Sequence, residues 1–190
     1  GKTILQVAIE SGSSDVLKYL LEHELIESFE DIIIDIYKNS PGYSAQFCFI
    51  EMILDYVIDT DQDDEFLYSV DSDNLNVLHL AIINDDMKFI TELVEAFGFD
   101  VNNFNYSSKV RPANSPLSWA IFLRKPKIVK YLMEKGAGLR ERLRISSFSP
   151  NDDPSAVIKD EEDIVDLNQL AGLFGDSEIQ SLIKSRSDVY

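Results

Sequence analysis

Three short stretches decide the fold: Asn-Val-Leu-His-Leu-Ala at residues 76–81, Phe-Ile-Thr-Glu-Leu-Val at 89–94 and Gly-Phe-Asp-Val-Asn at 98–102. The apolar residues of the first two recur at helical spacing, so each predicts a short helix with one buried face. The third stretch follows the second helix and predicts the turn that ends it. Together they predict a unit of two helices and a turn.

The same pattern occurs twice more in the chain. Residues 1–8 read Gly-Lys-Thr-Ile-Leu-Gln-Val-Ala, and residues 115–120 read Ser-Pro-Leu-Ser-Trp-Ala, each with apolar residues of a second helix behind it. The three copies resemble the ankyrin repeat, whose first helix opens with a Thr-Pro-Leu-His-x-Ala signature. Three copies at matching internal offsets make a chance resemblance improbable.

Spacing between the copies predicts further units. Ala8 and Ala81 are 73 residues apart, which leaves room for one hidden repeat at a period of about 33 residues. Ala81 and Ala120 are 39 residues apart, and the excess within 102–109 predicts a lengthened β-hairpin finger. A weaker copy, with Ala171 at the repeat-like offset, predicts a C-terminal capping repeat.

The resemblance implies an all-α ankyrin-type helical solenoid of about five repeats, two of them degenerate, with short β-hairpin fingers. We predict one ankyrin repeat domain over residues 1–190. Its predicted parts are repeats at about 1–24, 25–58, 74–106, 107–140 and 164–185, an acidic connector at 59–73 and an insertion loop at 141–163.

Composition bounds the function. The chain has 190 residues, 45% of them hydrophobic, and carries a net charge of −17, which disfavours binding to nucleic acid or anionic lipid. No apolar run is long enough for a membrane helix. The single cysteine, Cys48, predicts a buried thiol in a reducing compartment, so we expect a cytoplasmic protein. The abrupt start at Gly1 suggests a fragment of a longer protein.

No pattern of catalytic, cofactor-binding or metal-ligating residues emerges. The two histidines and the one cysteine are far apart in sequence, which argues against a zinc site. His79 occupies the signature position, where the family uses imidazole to bond backbone groups. The acidic stretch at 59–63 lacks the glycine and glutamate that a calcium loop requires. We therefore expect no enzyme and no cofactor.

The resemblance also implies which positions bind partners, because the scaffold leaves the turn before the signature and the two residues after its alanine pair variable. Large apolar residues at such positions, with an arginine nearby, are typical of a binding hot spot. The predicted partner-binding residues, including two from the finger, are Leu75, Ile83, Asn84, Phe104, Tyr106, Arg111, Asn114, Phe122 and Leu123.

Two alternatives stay open for the apolar pair Phe122 and Leu123. They bind a partner, or they pack under the long finger against Phe104 or Tyr106. A change to aspartate distinguishes the two, since loss of binding at unchanged stability supports the first alternative and melting supports the second.

The basic residues are concentrated in one segment. Residues 109–144 contain ten of the seventeen lysines and arginines and only two acids, so the rest of the chain carries −25. These lysines form the solvated face of a helix, or the arginines at 140, 142 and 144 dock the acidic clusters at 152–153 and 160–163. In the second case an acidic peptide of a partner competes with the insertion, which would be autoinhibitory.

The expected function is a protein–protein interaction module that binds a protein partner through its concave face and finger loops. An acidic segment is one candidate feature of that partner; nucleic acid and membrane are not expected. The alternative is a targeting or regulatory ankyrin domain of a larger enzyme, channel or secreted bacterial effector.

Overall fold

The computed structural model describes residues 1–26, 32–59, 67–70, 75–102, 115–139, 142–144 and 164–187. These residues form ten α-helices and one two-stranded antiparallel sheet. The prediction of an all-α fold is therefore confirmed. The chain divides into two compact units, Gly1–Asp71 and Ser72–Tyr190.

The first unit contains four helices: α1 (Ile4–Ser11), α2 (Ser14–Glu22), α3 (Ile32–Asn39) and α4 (Tyr43–Asp59). Within it, α1 packs against α2 and α3, and α4 packs against α2 and α3. The buried residues of α4 follow helical spacing and make one continuous face, which is apolar except for the first residue: Gln46, Phe49, Ile50, Ile53 and Val57. The amide of Gln46 is satisfied by the carbonyl of Tyr37, at 2.8 Å.

Cys48 lies in α4 and is half-buried, with its Sγ 3.8 Å from Sδ of Met52. The sequence predicted a buried thiol, whereas the structure buries it only in part. Cys48 lies at the edge of the buried face of α4, where a side chain is only partly covered.

The second unit contains six helices: α5 (Val77–Ile83), α6 (Met87–Glu95), α7 (Pro116–Phe122), α8 (Pro126–Glu134), α9 (Leu167–Leu173) and α10 (Ser177–Ser187). They pack as three pairs in chain order, α5 with α6, α7 with α8 and α9 with α10. Within this unit α7 packs against both α5 and α9, and α8 packs against α10.

The turn inside a helix pair has the same hydrogen bond in three places. An alanine carbonyl accepts from the amide five residues later, which closes the first helix in a Schellman-type turn. The amides of Ser13, Asp86 and Lys125 donate to the carbonyls of Ala8, Ala81 and Ala120, each at 2.9 Å. The residue before each amide has a positive φ: 68° at Gly12, 58° at Asp85 and 56° at Arg124.

The starts of the first helices are also alike. Thr3, Asn76, Ser115 and Asp166 each accept, through a side-chain oxygen, the backbone amide three residues later. In this way each cap satisfies one of the amides left open at a helix start. Matching caps and turns place the first helices in one common register.

A short ladder closes the base of the predicted insertion. Strand β1 (Arg142–Arg144) pairs antiparallel with β2 (Ile164–Asp166), and Arg144 stands opposite Ile164. Strand β2 ends at Asp166, which is the cap of α9. The segment 145–163 between the strands lies outside the described residues, and so do residues 103–109 of the predicted finger.

Candidate interaction surface

The last residues of the three first helices in the second unit are apolar. Ile83 ends α5, Phe122 ends α7 and Leu173 ends α9, with Phe174 next along the chain. Ile83 is 38% exposed and Leu173 is 59% exposed, whereas Phe122 and Phe174 are half-buried. We name these four residues the apolar row. Because α7 packs against α5 and α9, the row crosses adjacent helices.

Phe122 is held by two aromatic neighbours. Its ring centroid lies 6.1 Å from that of Trp119, edge-on at 85°, and 5.0 Å from that of Phe174, tilted at 60°. Both are favourable geometries for aromatic pairs. Phe122 therefore packs toward α9, a partner that the sequence did not suggest. Its other predicted neighbours, Phe104 and Tyr106, lie outside the described residues.

Sequence reasoning missed Leu173 and Phe174, although a signal for them exists. They are the second and third residues after Ala171, just as Phe122 and Leu123 follow Ala120. The common cap geometry makes these positions equivalent. Carrying the register one repeat further would have included both residues in the predicted surface.

The other predicted residues are distributed as follows. Leu123 is half-buried directly after α7, and Leu75 is half-buried directly before the cap of α5. Asn84 is exposed after α5, and its side-chain amide donates to the backbone carbonyl of Leu80 at 3.0 Å. The structure thus brings Ile83, Asn84, Phe122 and Leu123 to equivalent helix ends. Four predicted residues lie outside the described part of the chain: Phe104, Tyr106, Arg111 and Asn114.

Polar contacts tie the turns beside the row to neighbouring helices. Nε of Arg124 donates to the backbone carbonyl of Phe174 at 2.8 Å, which satisfies an acceptor at the end of α9. Nζ of Lys125 lies 3.1 Å from Oδ2 of Asp85, in the equivalent turn after α5. These contacts join α5, α7 and α9 next to the exposed apolar residues. They fix the helix ends that carry the apolar row relative to one another.

The basic helix α8 pairs in part with acids of the preceding helices. Nζ of Lys135 lies 2.8 Å from Oε1 of Glu95, and the hydroxyl of Tyr131 donates to the same oxygen at 3.3 Å. The hydrogen bond from Lys135 and its positive charge lower the pKa of Glu95. Burial, followed by the charge of Glu95, raises the pKa of Tyr131 to about 12.

Two lysines of the same helix differ from Lys125 and Lys135. Lys127 and Lys130 are exposed, and neither forms an ion pair within the residues that the structure describes. The predicted basic segment therefore divides into lysines that are neutralised by the chain's own acids and lysines that face solvent.

His79 contributes to the scaffold. It is 1% exposed, and its backbone amide donates to Oδ1 of Asn76 at 3.1 Å. The same oxygen lies 2.7 Å from Nδ1 of His79. The backbone amide of Asn76 donates to the same ring nitrogen at 3.3 Å. The imidazole thus bonds the cap of its own helix.

Within the described residues, no three side chains of His, Cys, Asp or Glu converge as metal ligands. None of the described helices is long and apolar enough to cross a membrane.

Comparison with known families explains the repeated caps and turns. The family model for ankyrin repeats, in three copies, matches residues 42–142, which is more than half of the chain. The chain belongs to the ankyrin-repeat family. Among solved structures, it is similar to the ankyrin repeat domain of Bcl-3, described as a unique member of the IkappaB protein family. That match has 18% identity and a TM-score of 0.44, and it covers 75% of each chain. No curated protein sequence matches.

The ankyrin match and the structure cover different parts of the repeat pattern. The matched residues include α4 to α8, whereas the first helix pair and the last lie outside them. Both outer pairs nevertheless have the ankyrin-like cap, with Thr3 bonded to Gln6 and Asp166 bonded to Gln169. The ankyrin-type helical fold is confirmed. The division into five repeats with the stated boundaries stays a prediction.

Proposed function

We propose that this chain is a protein–protein interaction module that binds its partner through the apolar row and the finger loops, on the concave face that ankyrin repeats present. Ankyrin repeats generally mediate protein–protein interaction and are typically not enzymes. The proposal assigns that general role to specific residues of this chain.

The observation that carries the proposal is the exposure of Ile83 and Leu173 at equivalent helix ends. Neither residue contributes much to the core, and covering such a side chain on binding is worth roughly 25 cal/mol per Å² of apolar surface. Phe122 and Phe174 belong to the same apolar row and form a half-buried aromatic pair. Aromatic residues held in place are favoured anchors at interfaces, because they lose little conformational entropy on binding.

The equivalent positions in α1 favour the second unit as the binding region. There the second and third residues after Ala8 are Glu10 and Ser11, and both are polar. Glu10 accepts a hydrogen bond from Nζ of Lys2 at 2.6 Å, and Ser11 is the last residue of the helix. The apolar character of the row thus starts at α5, so we assign the partner's apolar anchor to the surface from α5 to α9.

The charge of α8 bears on the partner's chemistry. Lys127 and Lys130 are exposed and form no ion pair among the described residues, within a chain whose net charge is −17. An acidic segment of the partner would find its complement there, whereas the acidic remainder of the chain would repel it. We therefore propose a protein partner with an apolar anchor and an acidic flank.

The test is affinity capture from a cell lysate with two matched variants. Ile83→Gln with Leu173→Gln removes exposed apolar side chains from the row, and Val7→Gln with Tyr19→Gln does the same in α1 and α2. Glutamine is neutral and suits helices, so both variants should melt close to the parent. We expect the parent and the second variant to capture the same protein, and the first variant to lose it.

Retention of the same protein by both variants at equal stability would contradict the proposal and place the binding site elsewhere. Phe122 is unsuitable as the first substitution, because its contacts with Trp119 and Phe174 mean that a polar replacement changes stability as well as binding.

A further inference from the structure

The first helix pair exposes four apolar side chains that the fold of the first unit leaves uncovered. Two come from α1 and two from α2: Ile4 at 68%, Val7 at 52%, Val16 at 39% and Tyr19 at 54% exposed. We name these residues the Ile4 face. Scattered exposed apolar residues are normal, but four on one helix pair form a candidate interaction surface.

The register of the repeats shows what these positions do elsewhere in the chain. Thr3, Ser115 and Asp166 are equivalent caps, so the residue after each cap is equivalent, and so are the residues four and thirteen positions after it. At the positions of Ile4, Val7 and Val16, the fourth repeat and the last repeat have only buried residues. These are Pro116, Trp119, Ile128, Leu167, Leu170 and Ile179.

Neighbouring helices account for that burial. In the second unit α7 packs against α5, α9 packs against α7, and α10 packs against α8. Each of these helix pairs therefore rests on the pair that precedes it along the chain. The same positions on α1 and α2 are exposed, although their side chains are as apolar as those that the later repeats bury.

We propose that the Ile4 face receives one further ankyrin repeat, joined ahead of residue 1 and stacked on α1 and α2 as the second unit's helix pairs stack on each other. The occupant follows from the register, because the equivalent positions are covered by a helix pair that precedes them in chain order. The proposal is independent of the function proposed for the apolar row.

A second copy of the chain fits the face less well. In a head-to-tail stack its last helix pair would cover the Ile4 face. Among the described residues of α10, the exposed side chains are polar: Ser177, Glu178, Ser181, Lys184 and Ser185. Burying such groups without partners opposes association. Among the described residues of the last helix pair, Leu173 is the one large apolar residue that is exposed.

The experiment measures the cost of the same substitutions with and without a covering repeat. A consensus ankyrin repeat is fused ahead of the full chain, with its signature alanine about 33 residues before Ala8. Val7→Gln with Tyr19→Gln is then made in the chain alone and in the fusion. Any effect on helix propensity is common to both backgrounds and cancels in the comparison.

We expect the substitutions to leave the urea midpoint of the chain alone nearly unchanged, and to lower that of the fusion by about 1 M. Backbone amides of α1 should also gain hydrogen-exchange protection in the unsubstituted fusion. The control pair, Ile83→Gln with Leu173→Gln, should have the same small effect in both backgrounds.

Equal effects of Val7→Gln with Tyr19→Gln in the two backgrounds would overturn the proposal. So would a chain that sediments as a dimer on its own and becomes a monomer on the same substitution, because a second copy would then occupy the face. Neither result affects the capture experiment on the apolar row, so the two proposals fail separately.

Discussion

The ring of Phe122, at the end of α7, lies against the ring of Phe174, at the end of α9, with their centroids 5.0 Å apart. Fifty-two positions of sequence separate the two residues, yet equivalent ends of adjacent helices bring them together. Phe174 also receives the hydrogen bond from Arg124 through its carbonyl. One residue thus provides both an aromatic and a backbone contact to the preceding repeat.

The first prediction concerns this aromatic pair. Phe174→Ala keeps the backbone carbonyl for Arg124 but removes the ring, so we expect a loss of about 1–2 kcal/mol in the free energy of unfolding. Phe122→Ala should cost more, because it also removes the contact with Trp119. The double variant should then reveal a coupling of about 0.5–1.5 kcal/mol in urea unfolding. Strictly additive losses would mean that the ring contact contributes nothing.

The second prediction concerns Glu24, which is exposed after α2 and has a φ of 53°. The left-handed conformation is strained for a residue with a Cβ atom and natural for glycine. Glu24→Gly should therefore raise the free energy of unfolding by about 0.5–1 kcal/mol, measured by thermal melting. Glu24→Gln is the matched control, since it removes the charge and keeps the strain. An equal gain in both variants would attribute the effect to charge.

The third prediction compares two helix caps. Asn76→Ala should cost about 2 kcal/mol, because Asn76 is buried and its loss leaves the backbone amide of His79 without that acceptor. Thr3→Ala removes the equivalent bond at an exposed site, where water replaces it, and should cost about 0.5–1 kcal/mol. Asn76→Asp retains an acceptor and serves as the control. Equal costs at the two caps would show that burial does not matter here.

The fourth prediction concerns pH. The pKa of Tyr131 is raised to about 12 in the fold from an ordinary value of 10.0, so its contribution to stability is complete below pH 10 and is lost as pH rises toward 12. Because burial is the largest cause and Glu95 the next, Glu95→Gln should lower the pKa of Tyr131 only part of the way to its ordinary value. Absorbance titration of the phenol measures this. No change in the Tyr131 pKa on Glu95→Gln would exclude the contribution of the carboxylate.

The fifth prediction concerns the insertion. Because Arg144 and Ile164 face each other across the β1–β2 ladder, residues 145–163 can be replaced by a two-residue Asn-Gly turn without changing the register. The shorter loop should raise the free energy of unfolding by about 2 kcal/mol. If the insertion is autoinhibitory, the same deletion should also tighten binding of the captured partner. Unchanged affinity would contradict autoinhibition and leave the stability prediction intact.

Local signals in the sequence were sufficient for the helix pairs of the signature repeats. The caps at Asn76 and Ser115 and the alanines that follow act over three to five residues, so their hydrogen bonds form wherever the segment becomes helical. The same range explains why apolar spacing located α5 to α8 and why the ankyrin resemblance was correct.

Local sequence signals of this kind do not predict the contacts between repeats. The ion pair of Lys135 with Glu95 and the packing of Phe122 on Phe174 join residues that are 40 and 52 positions apart, and both depend on how one helix pair is placed on the next. The half-burial of Cys48 is of the same kind, because helical periodicity locates the buried face but not how far a neighbouring helix covers its edge.

The sequence by itself therefore determined the repeat, its caps, its turns and the family, since these rest on interactions within a few residues. Only the tertiary structure decided which apolar side chains stay at the surface. Ile4 and Leu167 follow equivalent caps with nearly the same side-chain volume, yet Ile4 is exposed and Leu167 is buried. The difference comes from stacking, because α9 has α7 packed against it and no described helix covers Ile4.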